Sequence, residues 1–186
     1  MSRTALAIAL FAAVPGLMPA QSRSAGPAHI ILIRHADKPA DATNPHLSPA
    51  GTQRAQHLVT FITSDPAMTA LGAPVAIYAT RTTKDGDGVR TQETVAPLAQ
   101  ALKLTVLLPE VGKNYAAVAA QILANPAYAG KTILICWNHE EIPQLAAALG
   151  VKPRPAKWKG SIFDQVDVVS YHKGKAELAV LHYPGT

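Results

Sequence analysis

Two histidines, three arginines and two carboxylic acids stand at or just beyond the ends of short apolar runs in this sequence. Arg34-His35 closes a run over residues 30–33. Thr80-Arg81 closes the run 75–79, and Arg90 follows after a glycine-rich turn. Glu110 comes just after residues 104–108, and His139-Glu140 just after 132–137. A neutral imidazole nitrogen can attack phosphorus. Arginine's planar fork suits phosphoryl oxygens better than lysine's point charge does, and a carboxylic acid can protonate a leaving alkoxide. The set is cationic in sum, and it contains the nucleophile, the charge stabilisation and the acid that phosphoryl transfer requires. Taken singly, each group has a plainer reading: Arg34 as the cap of a neighbouring helix, His35 as a boundary histidine. Their joint placement is what favours chemistry.

That placement depends on the elements between them. Residues 30–33, 75–79 and 132–137 are too short for helices and apolar throughout, the pattern of strands buried on both faces. Ser48 before Pro49 has the order of an N-cap and a first-turn proline. Ala55, Leu58, Val59 and Ile62 then recur at helical spacing, so a helix is expected to about Thr63, ended by Asp65-Pro66. Further helices are expected at about 90–102, 115–123 and 142–149, and a third short strand at 104–108. Residues 166–172 and 176–182 flank Lys173-Gly174-Lys175 as an antiparallel hairpin at a sheet edge. Four alternations of strand and helix before that hairpin predict a three-layer α/β/α sandwich with a mostly parallel central sheet. Parallel strands put their carboxyl ends on one edge, where open α/β sheets collect ligands.

The chain has 186 residues, enough for one domain with a sizeable core. Arg3, an apolar run over 5–14, Pro15-Gly16 and a small-residue end at Ala20 have the pattern of a secretory signal peptide. Residues 1–20 are expected to be removed, with Ala25 the second choice of cleavage position. Residues 21–27 are then a flexible lead-in to a domain over 28–186, exported to the periplasm or the medium. No Cys follows the run to carry a lipid anchor, and no later stretch is long enough to span a bilayer. Without Arg3, 16 Lys and Arg face 12 Asp and Glu, a net charge of about +4 that favours anionic partners. Scattered basic residues and few aromatics argue against nucleic acid. The lone Cys136, within an apolar run, is expected to be a buried, inert thiol.

Three shorter motifs are decoys. Asn138-His139-Glu140 is like one motif of metal-dependent phosphoesterases, but the companion Asp-x-His and Gly-Asp segments are missing. Gly130-Lys131-Thr132 imitates the end of a P-loop, yet Asn125 occupies the first glycine position and helix precedes strand. Asp85-Gly86-Asp87-Gly88 lacks the closing Glu of a calcium loop. No metal or cofactor is expected.

In order along the chain, Arg34-His35-Ala36-Asp37-Lys38, Leu47-Ser48-Pro49-Ala50-Gly51, Ile77-Tyr78-Ala79-Thr80, Arg90-Thr91-Gln92-Glu93-Thr94 and the segment around His139 resemble the histidine phosphatase superfamily, the phosphoglycerate-mutase-like fold, in its short secreted form. The resemblance implies that His35 is the phosphorylated nucleophile, with Arg34, Arg90 and His139 holding the phosphoryl oxygens. It implies Glu110 as the general acid, with Glu140 the other candidate, and a small phosphorylated substrate met by Arg81, Lys38 and Asn44. Arg81 rivals Arg90 for the second arginine, because residues 82–89 lengthen the gap between them. The rival functions are a non-catalytic exported binder of anionic ligands and a phosphomutase. The latter is disfavoured by the short segment after Glu110, and the oligomeric state is left open.

Overall fold

A computed structural model describes residues 26–109 and 114–183. The expected signal peptide over 1–20, the cleavage alternative at Ala25 and the candidate acid Glu110 lie outside the described residues. The apolar runs form one sheet of six strands: β1 (His29–Arg34), β2 (Pro74–Ala79), β3 (Val106–Leu107), β4 (Thr132–Trp137), β5 (Gln165–His172) and β6 (Lys175–His182). Their spatial order is β3-β2-β4-β1-β5-β6. The first four are parallel, while β5 runs antiparallel to β1 and β6 antiparallel to β5.

The position of β1 and β4 inside this order explains their unbroken apolar character. Ile30 and Leu32 point into one core with Ile133, Ile135 and Trp137; Ile31 and Ile33 point into the other with Leu134 and Cys136. The first core is covered by α4 (Tyr115–Ala124) and α5 (Ile142–Ala148). The second is covered by α1 (Pro49–Ser64), α2 (Pro66–Thr69) and α3 (Val89–Leu102). A fully buried Ile or Leu side chain contributes about 1.5–3 kcal/mol relative to an exposed one, and both faces of β1 supply such residues. The result is the three-layer α/β/α sandwich with a mostly parallel sheet and an antiparallel edge hairpin. Cys136 is fully buried and unpaired, and burial raises its thiol pKa.

The helix borders follow local chemistry. Ser48 caps α1, its side chain accepting from the Gly51 amide at 3.0 Å. Asp65-Pro66 ends α1 as expected, but the same pair opens α2, with the Asp65 carboxylate accepting from the Ala67 amide at 2.8 Å. Strand β3 is shorter than the expected 104–108. Leu104 is drawn back by its amide bond to Ala99 O at the end of α3, and Leu108 O accepts from Arg81, which leaves Val106 and Leu107 to pair with β2. The final hairpin turns on Lys173-Gly174 alone, with φ of 50° and 78°. Two consecutive positive φ values make the type I′ turn that fits the twist of paired strands, so Lys175 belongs to β6 and not to the turn. Among the described residues no helix is long and apolar enough to cross a membrane.

Candidate active site

The sheet register brings the predicted residues to one edge. Arg34 lies opposite Trp137 across the β1–β4 pair, and Ala79 lies opposite Cys136 across β2–β4. The residues that follow these strand ends, His35, Thr80 and Asn138-His139, therefore leave the sheet side by side. His35 is 7 % exposed, and its Nδ1 lies 2.8 Å from Ala36 O. A carbonyl only accepts, so Nδ1 carries the proton and Nε2 keeps its lone pair. Burial lowers the His35 pKa to about 4, helped by the positive charges of Arg34 and Arg90 and by His139. The ring is thus neutral at neutral pH and surrounded by the groups that would face an attacked phosphoryl group.

Arg90 reaches this edge because α3 is fastened to the strand ends by threonines. Thr94 Oγ1 accepts from the Ala36 amide at 2.8 Å and donates to Arg90 O at 2.6 Å, which ties the helix to the residue next to His35. One turn earlier, Thr91 Oγ1 pairs with Thr80 Oγ1 at 2.6 Å. The excursion over residues 81–88 closes at Gly88, whose φ is 92° and where any Cβ would run into the Arg81 carbonyl. Only glycine fits both constraints. Arg90 Nη1 donates to Asn44 O at 2.9 Å, and Glu93 accepts from the Leu47 amide at 2.8 Å and pairs with His46. Loop 36–47 is therefore held by α3 on one side. On the other side α1 packs so closely that a Cβ at Gly51 would collide with the Asp37 carbonyl, while the Ser48 amide donates to that same carbonyl at 2.9 Å.

The remaining predicted residues divide. Arg81 is exposed and donates to Leu108 O at 2.9 Å, and its charge is not among those that shift His35. Lys38 is exposed, but its charge helps to lower the pKa of His139, after burial and Arg34. Asn44 presents its main-chain carbonyl to Arg90, while its side-chain oxygen accepts from the His46 amide at 2.9 Å. Glu140 is exposed, and its charge opposes the lowering of the His139 pKa. It shares an open cleft with His139, Tyr115, Gln144 and Lys157. Among the described residues no group of three or more His, Cys, Asp or Glu is arranged to hold a metal ion.

Two parts of the site had no counterpart in the sequence reading. Glu141 lines the same cleft, and its carboxylate accepts from Trp137 Nε1 at 2.9 Å; its place directly after Glu140 was the available signal. The segment between α5 and β5 also walls the site. Arg34 Nη1 donates to Gly160 O and Ile162 O, both at 2.9 Å, and its guanidinium lies 3.9 Å from the centroid of the Phe163 ring. Arg34 is 2 % exposed, and burial lowers its pKa to about 10. A more spacious cavity lies at the opposite end of the sheet, lined by Leu123, Leu149, Tyr171 and Ala176. It holds none of the residues above, so chemistry and not volume locates the site.

No family profile and no curated protein matches the sequence. Solved structures do resemble it. A mycobacterial glucosyl-3-phosphoglycerate phosphatase superposes with a TM-score of 0.58 at 14 % identity, over 85 % of this chain and 98 % of the other. A candidate phosphohistidine phosphatase SixA from Nakamurella multipartitia gives 0.52 at 19 % identity, over 85 % and 97 %. A phosphoglycerate mutase from Plasmodium falciparum gives 0.50 at 14 % identity, over 84 % and 90 %. Near-complete coverage of each of these chains, together with the sheet order and the residues gathered at its carboxyl edge, shows that this chain has the phosphoglycerate-mutase-like fold.

Proposed function

We propose that the chain is a metal-independent phosphatase that hydrolyses small phosphomonoesters through a phosphohistidine on Nε2 of His35. The observation that carries this reading is the state of His35: a neutral ring, its Nδ1 proton bound to Ala36 O, set among Arg34, Arg90 and His139. In the first step the Nε2 lone pair forms a bond to phosphorus as the ester P–O bond breaks, and a carboxylic acid gives its proton to the departing alkoxide. In the second step water attacks phosphorus, the P–N bond breaks, and the same carboxylate takes the water's proton. Arg34, Arg90 and His139 hold the non-bridging oxygens, where charge changes least in position and most in distribution. The acid is assigned to Glu110 or Glu140. Of the two, Glu140 lies on the described cleft beside His139.

Arg90 is the second phosphate arginine in this reading, since its charge bears on His35 and Arg81 is turned toward Leu108. Lys38, an exposed cation whose charge is felt at His139, steers the anion inward. We place the mature protein outside the cytoplasm, beginning near Gln21, on the signal-peptide pattern of the first 20 residues; intact-mass measurement of the exported form checks this, and retention of Met1 contradicts it. Activity is tested by assaying the purified protein against a panel of phosphate monoesters, with and without a chelator. Hydrolysis that survives chelation and disappears in His35→Ala is expected. Activity that vanishes on chelation, or persists in His35→Ala, contradicts the mechanism.

A further inference from the structure

The geometry points to a strap, residues 157–163, that fixes one end of Arg34 and so selects the edge this arginine offers to a phosphoryl group; this rests on the phosphatase reading above. Nη1 of a guanidinium has two N–H groups, and in Arg34 both have carbonyl acceptors, Gly160 O and Ile162 O at 2.9 Å each. That end of the group is saturated. What remains is the side edge, where the Nε–H and one Nη2–H point the same way and form a two-pronged donor for two oxygens of a tetrahedral anion. Nε of Arg34 is buried and has no hydrogen-bond partner among the described residues, and Nη2 makes no hydrogen bond there either. A buried donor left unpaired is destabilising in an empty site and is relieved when a ligand oxygen arrives.

The strap can do this because it is anchored at its far end as well. Trp158 is buried, and its Nε1 donates at 3.2 Å to Asp167, a carboxylate 1 % exposed that also accepts from Gln165 Nε2 at 2.8 Å. Between anchor and clamp, Gly160 lies beside His139, where a Cβ would be in ordinary van der Waals contact with Nε2 at 3.6 Å. Phe163 then lies over the Arg34 guanidinium at 3.9 Å, with its ring edge-on to His35 at 6.1 Å between centroids. An aromatic face under a desolvated cation holds it electrostatically and blocks the rotamer that would swing it away. Phe163 acts through Arg34, as a positioning residue.

The test is side-chain NMR on protein carrying isotope-labelled arginine, titrated with inorganic phosphate. The wild type should show a slowly exchanging Nε–H, assigned to Arg34 by its loss in Arg34→Lys, that shifts as phosphate is added. Phe163→Ala should speed that exchange and weaken phosphate binding about tenfold, whereas Phe163→Tyr, which keeps the ring, should stay within about twofold. Should Phe163→Ala fail to fold in a thermal melt, Phe163→Leu gives the same comparison with the volume retained. Exchange in Phe163→Ala or Phe163→Leu as slow as in the wild type overturns the strap. A phosphate-induced shift at Nη1 with none at Nε overturns the choice of edge. A wild type that binds no phosphate sinks the phosphatase reading and the edge with it, while the exchange rates alone still decide whether the strap holds Arg34.

Discussion

The site has two walls, and they are built differently. Loop 36–47 is held by side chains of α3, of α1 and of its cap at fixed sequence spacing: Thr94 on the Ala36 amide, Glu93 on the Leu47 amide, Arg90 on Asn44 O, Ser48 Oγ on Asp37 O and Arg54 on the Asp37 carboxylate. The strap 157–163 holds Arg34 through its own main-chain carbonyls, with one aromatic ring beneath. A wall made of side chains fails when one of them is changed. A wall made of carbonyls is indifferent to most substitutions, because every residue supplies the same acceptor.

The largest effect is expected at Arg90, which joins the loop wall as the donor to Asn44 O and is the proposed second phosphate arginine. Arg90→Ala should raise the barrier by about 2.7–4 kcal/mol, roughly a hundred- to a thousand-fold in turnover, by analogy with loss of one oxyanion donor. Steady-state kinetics under saturating substrate measure it. A near-normal Arg90→Ala beside a crippled Arg81→Ala would reverse the assignment of the two arginines.

Between the walls, His35 makes stability depend on pH. Its folded pKa, about 4, lies below the unfolded value, so the unfolded chain binds the proton more readily as pH falls. The contribution is fully present above about pH 6.5 and is lost as pH drops toward the folded value, about 3 kcal/mol in all. Urea unfolding from pH 7 to 4.5 should show a steeper loss in the wild type than in His35→Gln, in which this group no longer titrates. Equal slopes would show that His35 is not held neutral by the fold.

Thr94→Val sharpens the contrast further. It keeps the shape and removes the acceptor of the buried Ala36 amide, so a cost of about 1–3 kcal/mol in unfolding free energy is expected. The matching change in the strap, Ser161→Ala, alters an exposed side chain and leaves both carbonyls in place, so its effect should stay within about 0.5 kcal/mol. Denaturant midpoints of the two variants make the comparison; equal losses would mean that the Ser161 side chain also holds the strap. Arg81→Ala should be smaller still in turnover and appear chiefly as a salt-dependent rise in KM.

The same contrast explains what the sequence disclosed. Buried parallel strands have unbroken apolar runs, so β1, β2 and β4 and the edge carrying their charged ends were legible, and Ser48-Pro49 marked the start of α1. The spacing from Arg90 to Thr94 was legible as a motif, and the structure supplies its reason: one turn of helix lets Thr94 join Arg90 O to the Ala36 amide. The limits of β3 were not legible, because they are fixed by a helix cap at Leu104 and by a distant arginine on Leu108. The strap was invisible for a different reason. Its chemistry toward Arg34 resides in main-chain oxygens more than a hundred positions away in sequence, and neither Gly160 nor Phe163 has a periodicity to betray it.

The central claim is that neutral His35 attacks phosphorus through Nε2, and rapid quenching with a radiolabelled phosphomonoester tests it most directly. Label should appear on the protein within a single turnover, be released by acid and retained in base, and map to the peptide containing His35. It should be absent from His35→Ala. Acid-stable label, label on another residue, or equal labelling of His35→Ala would contradict the account.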